Sequence, residues 1–396
     1  MKKKKKLAGV FLSLSLVAGA LAGCNSDSKT SSSSGGSSTS GDTIKIGANL
    51  ELSGGTASFG QSAADGLKLA IEEINKEGID GKKLEIIKVD NKSDAAEATS
   101  GSIKLVSQDK VVAVVGSATS TNTLAQVQVA QDNKVPLLTP TATNPDITNK
   151  AGKLNDYVFR TCFIDPFQGT VAANFASDDI GAKTAAIYVD SASDYSKGLA
   201  AAFKEAFTAN GGKIVREEAY VTKDTDFRAT LTRIKSAKPE FVFLPGYYEE
   251  VGLILKQARE DGIDVPFMGG DGWDSPKVVE IAGAEALKNT FITNHYSPED
   301  EDAKIQDFVA AYKKKYNKTP DAFAALGYDS GYYLADAIKR SGDATPENIR
   351  QALEEVKDLQ LVSGTLNLDK NHDPIKSATI LEYVDGKQTF KTKINP

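Results

Sequence analysis

The chain has 396 residues, 40% hydrophobic and 25% charged, a globular balance with too much sequence for one small core. Its formal charge of −6 includes the five lysines Lys2 to Lys6; without them 42 Lys and Arg face 53 Asp and Glu, about −11. That excess of acid argues against nucleic acid or an anionic membrane surface as a partner.

Residues 1–23 read as an export signal. Lys2 to Lys6 are its basic segment, Leu7 to Ala20 an apolar stretch too short to span a bilayer comfortably, and Leu21-Ala22-Gly23-Cys24 closes it with small residues. A plain signal with an incidental cysteine, or an uncleaved anchor, are the competing accounts. The closing run resembles the lipobox of bacterial lipoproteins, which implies that Cys24 is diacylated and becomes the new N-terminus. Two acyl chains suffice for stable anchoring on the extracytoplasmic face of the cell membrane without a transmembrane helix. Residues 24–41, rich in Ser and Gly, then form a flexible tether. With Cys24 consumed by lipid, Cys162 has no disulfide partner, and within Phe159-Arg160-Thr161-Cys162-Phe163 it reads as a buried apolar thiol.

Folded sequence begins near Thr43 and alternates short β-branched runs with amphipathic helical patterns, the mark of parallel α/β architecture. Strands are predicted at 44–48, 84–89, 111–115 and 135–138, with helices at 63–76, 95–108 and 123–132 between them. The rhythm restarts with strands at 184–189, 214–221, 241–244 and 265–268 and helices at 196–210, 227–236 and 251–261. Two similar halves therefore join near Arg160 to Gly169. Beyond them come a strand at 291–294, helices at 302–316, 322–340 and 346–356, and a hairpin at 365–383, which complete the two lobes. The division assigns 42–161 and 297–363 to lobe 1, and 162–296 and 364–396 to lobe 2.

Open parallel sheets bind ligands beyond the carboxyl ends of their strands, so two facing lobes put a ligand cleft between them. After Val115 comes Gly116-Ser117-Ala118-Thr119-Ser120-Thr121-Asn122-Thr123, and after Leu138 comes Thr139-Pro140-Thr141-Ala142-Thr143-Asn144-Pro145. Each offers hydroxyls and backbone N–H groups at a helix N-terminus, which together can hold a carboxylate. Ordinary N-capping would explain one such loop; two after adjacent strands favour a site. The other lobe presents Asp271 within Gly269-Gly270-Asp271-Gly272-Trp273, flanked by Gly246-Tyr247 and Asp194-Tyr195. An anion with aromatic walls suits an ammonium, although a lone tyrosine is as readily packing and Asp271 alone a turn former. A carboxylate held on one lobe and an ammonium on the other describe an α-amino acid.

Here the chain resembles the type I periplasmic binding proteins, in particular the leucine/isoleucine/valine-binding proteins of branched-chain amino-acid ABC importers. The matching segments are Leu52-Ser53-Gly54 to Gly60, Asp80-Gly81-Lys82, Val114-Val115-Gly116, Pro140 to Pro145, Asp194-Tyr195 with Gly198-Leu199, Gly246-Tyr247 and Gly269 to Gly272, so the resemblance runs from Ile44 to the C-terminus. It implies a two-lobed α/β fold, each lobe a parallel sheet flanked by helices. It also implies that Ser120, through hydroxyl and backbone N–H, and Thr143 bind the ligand carboxylate. The Thr141 carbonyl, the Thr143 hydroxyl and Asp271 then bind the ammonium, while Phe59, Tyr195 and Tyr247 border or close the pocket. Ala118, Thr119, Ala142 and Trp273 are pocket neighbours. Relatives usually carry glutamate where Asp271 stands, and the disulfide of some relatives is absent, its nearest loop position being Thr119.

Other chemistries fit less well. Gly327-Tyr328-Asp329-Ser330-Gly331 has its serine one place off a nucleophile elbow and sits in a helical pattern. His295 and His372 are expected to be solvated or at a hinge. Asp369-Lys370-Asn371-His372-Asp373 begins like a calcium loop, but Pro374 replaces the required glycine. The expectation is a monomeric solute-binding protein with no catalytic residue, metal or cofactor, delivering an amino acid to an ABC permease. An amino-acid or amide sensor, and an exported hydrolase, are the alternatives.

Overall fold

The computed structural model describes residues 43–395; the expected signal peptide, Cys24 and the whole tether lie outside them. The first run comprises β1 (Thr43–Leu50), α1 (Ala57–Glu77), β2 (Lys83–Asp90), α2 (Ala95–Lys104), β3 (Ala113–Gly116), α3 (Ser120–Asn133) and β4 (Leu137–Thr139). A small antiparallel ribbon, β5 (Asn149–Lys150) and β6 (Lys153–Leu154), precedes β7 (Val158–Arg160). The second run comprises α4 (Asp165–Asn174), β8 (Thr184–Asp190), α5 (Asp194–Ala209), β9 (Lys213–Tyr220), α6 (Arg228–Ser236), β10 (Phe241–Phe243), α7 (Tyr248–Glu260), β11 (Phe267–Gly269), α8 (Pro276–Ala282) and β12 (Thr290–Asn294). Helices α9 (Ala303–Tyr316), α10 (Ala322–Ser341) and α11 (Pro346–Glu354) follow, then the hairpins β13 (Leu359–Leu361) with β14 (Gly364–Leu366) and β15 (Ala378–Val384) with β16 (Lys387–Ile394).

Two sheets organise these elements. One is wholly parallel, in the order β2-β1-β3-β4-β7. The other runs β16-β15-β12-β11-β10-β8-β9 and is parallel except for the closing β15–β16 ribbon, which adds to β12 antiparallel. The central strands β3, β4, β10, β11 and β12 are buried throughout, as expected of β-branched and aromatic runs covered by helices on both faces.

Helix α10 returns to pack on α1, so the chain crosses between the sheets after β7, after β12 and after β14. Glycine permits this close helix pair: a Cβ on Gly66 would overlap the Ala324 carbonyl, and one on Gly327 would overlap that of Ala63. The motif resembling a nucleophile elbow is therefore a stretch of helix packing, with the Ser330 hydroxyl bonded to the Leu326 carbonyl at 2.8 Å.

Buried charges pin the crossings. Arg160 Nε meets Asp373 at 2.9 Å, and Lys376 donates to the Thr161 carbonyl at 3.0 Å and to the Ser363 hydroxyl. Asp329 accepts from the N–H groups of Val362 and Ser363 at 2.8 and 2.9 Å.

Four expectations change. Helix α4 occupies the segment read as a mere joint, because Asp165-Pro166 start it and its buried face of small residues, Gly169, Ala172 and Ala173, carries little amphipathic signal. The helix expected to 108 ends at Lys104 and widens into a π-turn over Leu105–Asp109. The hairpin expected at 365–383 is instead the two hairpins above, because Asp369 gathers the N–H groups of Asn371 and Asp373 into a partly buried turn between them. Neither histidine is solvated: His295 stacks on Phe163 at 3.7 Å, and His372 stacks on Phe159 at 4.3 Å. Cys162 is free and buried, as its apolar neighbours imply, and burial pushes its thiol up to about 12.

Candidate functional site

The ends of β1 and β3 converge on Glu51, which is fully buried one residue past β1. It accepts from the N–H groups of Ala118 and Thr119 at 2.9 and 3.2 Å, from the Thr119 hydroxyl at 2.7 Å and from Asn122 Nδ2 at 3.0 Å. Burial raises its pKa and these donors oppose the rise. At the start of α3 the N-cap residue, Thr119, makes no side-chain cap, and its hydroxyl donates instead to Glu51. A buried helix start with an uncommitted first turn and Ser120 at its first position can accept an anion.

The second hydroxyl loop lies alongside. The Thr141 hydroxyl donates to the Ala118 carbonyl at 2.7 Å, and the Asn144 N–H donates to Ser120 Oγ at 3.3 Å. The Ala142 carbonyl is taken by Arg160 Nη1 at 2.9 Å and Cys162 Sγ at 3.3 Å. The Thr143 hydroxyl is buried without a hydrogen-bond partner.

Across the cleft, Asp271 sits in a 3-10 turn after β11 and is held on both oxygens. Oδ1 accepts from the Tyr195 hydroxyl at 2.9 Å and Gln168 Nε2 at 3.1 Å; Oδ2 pairs with His295 Nε2 at 3.0 Å. Burial lowers the His295 pKa against the pull of Asp271, so a neutral ring donates from Nε2. Gly270 is required here because a Cβ would overlap Gln168 Oε1. Trp273 is fully buried with its indole N–H on the Leu244 carbonyl at 3.0 Å.

Aromatic rings join the two sides. Phe59 on α1 stacks on Phe323 at 4.0 Å and meets the edges of Tyr247 and Tyr248 at 5.5 and 4.9 Å, while Tyr247 stacks on Tyr195 at 5.1 Å. Polar contacts span the same gap: Ser58 Oγ with Ser275 Oγ at 2.7 Å, Thr121 with Asp194 at 3.1 Å, and Asn144 Nδ2 on the Asp194 carbonyl at 3.0 Å. The lobes are thus closed on one another. A cavity of about 190 Å³ marks the mouth of the cleft, lined by Thr56, Thr121 and Asn122 on one side and Ser193, Tyr247 and Glu250 on the other. A larger cavity of about 700 Å³ lies behind α10, against Phe308, Tyr328 and Tyr332, away from these groups.

The structure therefore gathers Ser120, Thr141 and Thr143 on one wall, Tyr195, Tyr247 and Asp271 on the other, and Phe59 between. Sequence reasoning missed Glu51, Gln168 and His295, and also Asp165, which is fully buried at the start of α4 with its N–H on the Thr143 carbonyl at 2.9 Å. Glu51 had a signal, a lone acid ending an apolar strand; Gln168 and His295 had none, because their roles depend on the α4 and β12 crossings meeting at Asp271.

Comparison with known proteins bears on the family and the fold. Residues 43–388 match the family described as periplasmic binding protein. The chain is 32% identical over 354 residues to the leucine-, isoleucine-, valine-, threonine-, and alanine-binding protein of Pseudomonas aeruginosa, covering 89% of this chain and 92% of that one. It is 42% identical, at a TM-score of 0.84, to the branched-chain amino acid transporter substrate binding protein LivJ of Streptococcus pneumoniae in complex with isoleucine, covering 89% of this chain and all of that one, 100%. An ABC transporter solute binding protein of R. palustris in complex with benzoate is 25% identical at a TM-score of 0.81, covering 89% and 97%. These are binding proteins and not enzymes, and with them the chain belongs to the periplasmic binding protein family.

Proposed function

We propose that the protein is the substrate-binding component of an ABC importer, capturing free leucine, isoleucine or valine between its lobes and delivering it to a membrane permease. The observation that carries this reading is the uncapped, buried start of α3, which offers Ser120 and first-turn N–H groups to a carboxylate. Thr143 and the Thr141 carbonyl stand beside it, and Asp271 with Tyr195 and Tyr247 faces it for the ammonium. The names of the matched relatives support the branched-chain assignment. Residues 42–161 with 297–363 form one lobe and 162–296 with 364–396 the other; the crossings after β7 and β12 support the first two boundaries, whereas the third crossing falls after β14, beyond Leu366. The protein acts as a monomer held to the membrane by lipid on Cys24; among the described residues no helix is long and apolar enough to cross a bilayer. Thermal-shift and calorimetric screening of the standard amino acids, small amides and aromatic acids tests the reading. Stabilisation by leucine, isoleucine or valine supports it. Turnover of a compound, or stabilisation by none, overturns it.

A further inference from the structure

We propose that Asp274 and Asp321 latch the closed lobes, two carboxylates from opposite lobes sharing the start of α10, and that they set ligand affinity without touching the ligand by tying closure to the uptake of a proton. The latch takes its ligand from the amino-acid reading above and adds a determinant of affinity outside the pocket.

Asp274 ends the turn after β11, whereas Asp321 is the N-cap of α10, which packs on α1 against the other sheet. Asp274 is buried and Asp321 partly so. Asp274 Oδ2 accepts the Ala322 N–H at 2.7 Å, so the first N–H of a helix in one lobe is capped by a carboxylate of the other. Asp321 Oδ1 accepts the Ala324 N–H at 2.8 Å, which places both carboxylates on one helical turn. The adjoining Ser275 meets Ser58 of α1 hydroxyl to hydroxyl at 2.7 Å, a second contact on the face that closing brings together.

Each acid is also supplied by its own lobe. Asp274 accepts from Asn294 Nδ2 at 2.9 Å and Gln388 Nε2 at 2.7 Å, on β12 and β16. Asp321 accepts from the Ser62 hydroxyl on α1 at 2.7 Å besides the Ala324 N–H. Parting the lobes breaks the Ala322 contact and leaves both acids held and ionised. Joining them sets two like charges on one helix start, whose dipole favours the first and leaves the second uncompensated.

The surroundings do not supply that compensation. Among the described residues neither acid is ion-paired, and Lys318, whose charge reaches Asp321, is taken by Asp65 of α1 at 3.0 Å. Tyr296 on the crossing after β12, Tyr312 on α9 and Tyr383 on β15 face the pair with hydroxyls that burial keeps protonated, and burial keeps His295 neutral. Burial raises the Asp321 pKa and Asp274 raises it further, against the Ser62 hydroxyl, the Ala324 N–H and Lys318. A proton taken from solvent and held by the pair removes the repulsion. An acid whose pKa is higher in the closed form favours closure most when protonated. Its contribution is full at low pH and is lost as pH climbs through the closed-state value.

Titration calorimetry of the full chain with isoleucine at pH 5.5 and pH 8 tests this. Asp321→Asn keeps an oxygen for the Ala324 N–H and an amide for Ser62 Oγ but carries no charge. It is expected to bind isoleucine at least about three-fold more tightly than the wild type at pH 8 and to match it at pH 5.5. Acids lining the pocket titrate in both proteins, so the difference between them reads the latch. Should Asp321→Asn fail to fold, Asp274→Ala decides: having lost cap and charge together, it should bind more weakly than the wild type at pH 5.5 yet lose less affinity on going to pH 8. Equal or weaker binding by Asp321→Asn at pH 8, or the full wild-type pH dependence in Asp274→Ala, overturns the latch while leaving amino-acid binding intact. A wild type that binds no isoleucine at either pH overturns the amino-acid reading and the latch with it.

Discussion

Asp271 is held by Tyr195, Gln168 and His295 as part of the folded protein, so its charge is positioned as well as buried. Replacing it by alanine leaves those donors unpaired and removes the ammonium's counter-charge; we expect isoleucine binding to weaken by about 2–5 kcal/mol, read by calorimetry. Asp165 has a different signature, in stability. An acid whose pKa rises on folding, from the ordinary 3.8 to about 8, favours the fold most when protonated. Its contribution is therefore full below about pH 4 and is lost as pH climbs towards about 8. Asp165→Asn should flatten that decline in the unliganded unfolding midpoint, and a decline that persists unchanged would assign it to other groups. The sequence made Asp271 legible because glycines surround it, whereas Asp165 carried no such punctuation. Nothing local distinguishes a buried acid from an ordinary helix-starting aspartate.

At the scale of elements, the α3 terminus and the α1–α10 pair argue in opposite directions about side-chain removal. Ser120→Ala takes a hydroxyl from a terminus already lacking a cap, so affinity should fall by about 1.5–3 kcal/mol, with a smaller drop in the unfolding midpoint because the Asn144 N–H loses its acceptor. Gly327→Ala improves intrinsic helix propensity yet should destabilise the fold by about 1–3 kcal/mol, because the added methyl meets the Ala63 backbone. Denaturant unfolding of that variant separates the two effects by sign. Strand β7 and helix α8 fall where no element was expected and α1 begins at Ala57 rather than 63, but most other strands and helices of the repeating βα units were legible from periodicity to within a few residues. Helix α4 and the β13–β14 hairpin were not: the first buries small residues, and the second is fixed by Asp329 thirty-odd positions away in sequence rather than by its own turn.

Across the whole molecule, closure joins surfaces supplied by both sheets, and the sequence disclosed the facing loops without disclosing what holds them together. Gly270 and Gln168 matter through a contact between α4 and the turn after β11 that no local pattern encodes. Trp273 reports on that turn: its indole is buried two residues from Asp271, so ligand binding should change its emission, and Asp271→Ala should diminish the change. The column of rings from Phe323 through Phe59 and Tyr247 to Tyr195 has a thermal consequence. Parting the lobes wets aromatic faces and joining them dries those faces again, so each capture of a small solute should carry a negative heat-capacity change belonging mostly to the protein. The binding enthalpy would then steepen with temperature more than the solute's own apolar surface predicts, and Phe59→Ala would make that slope shallower.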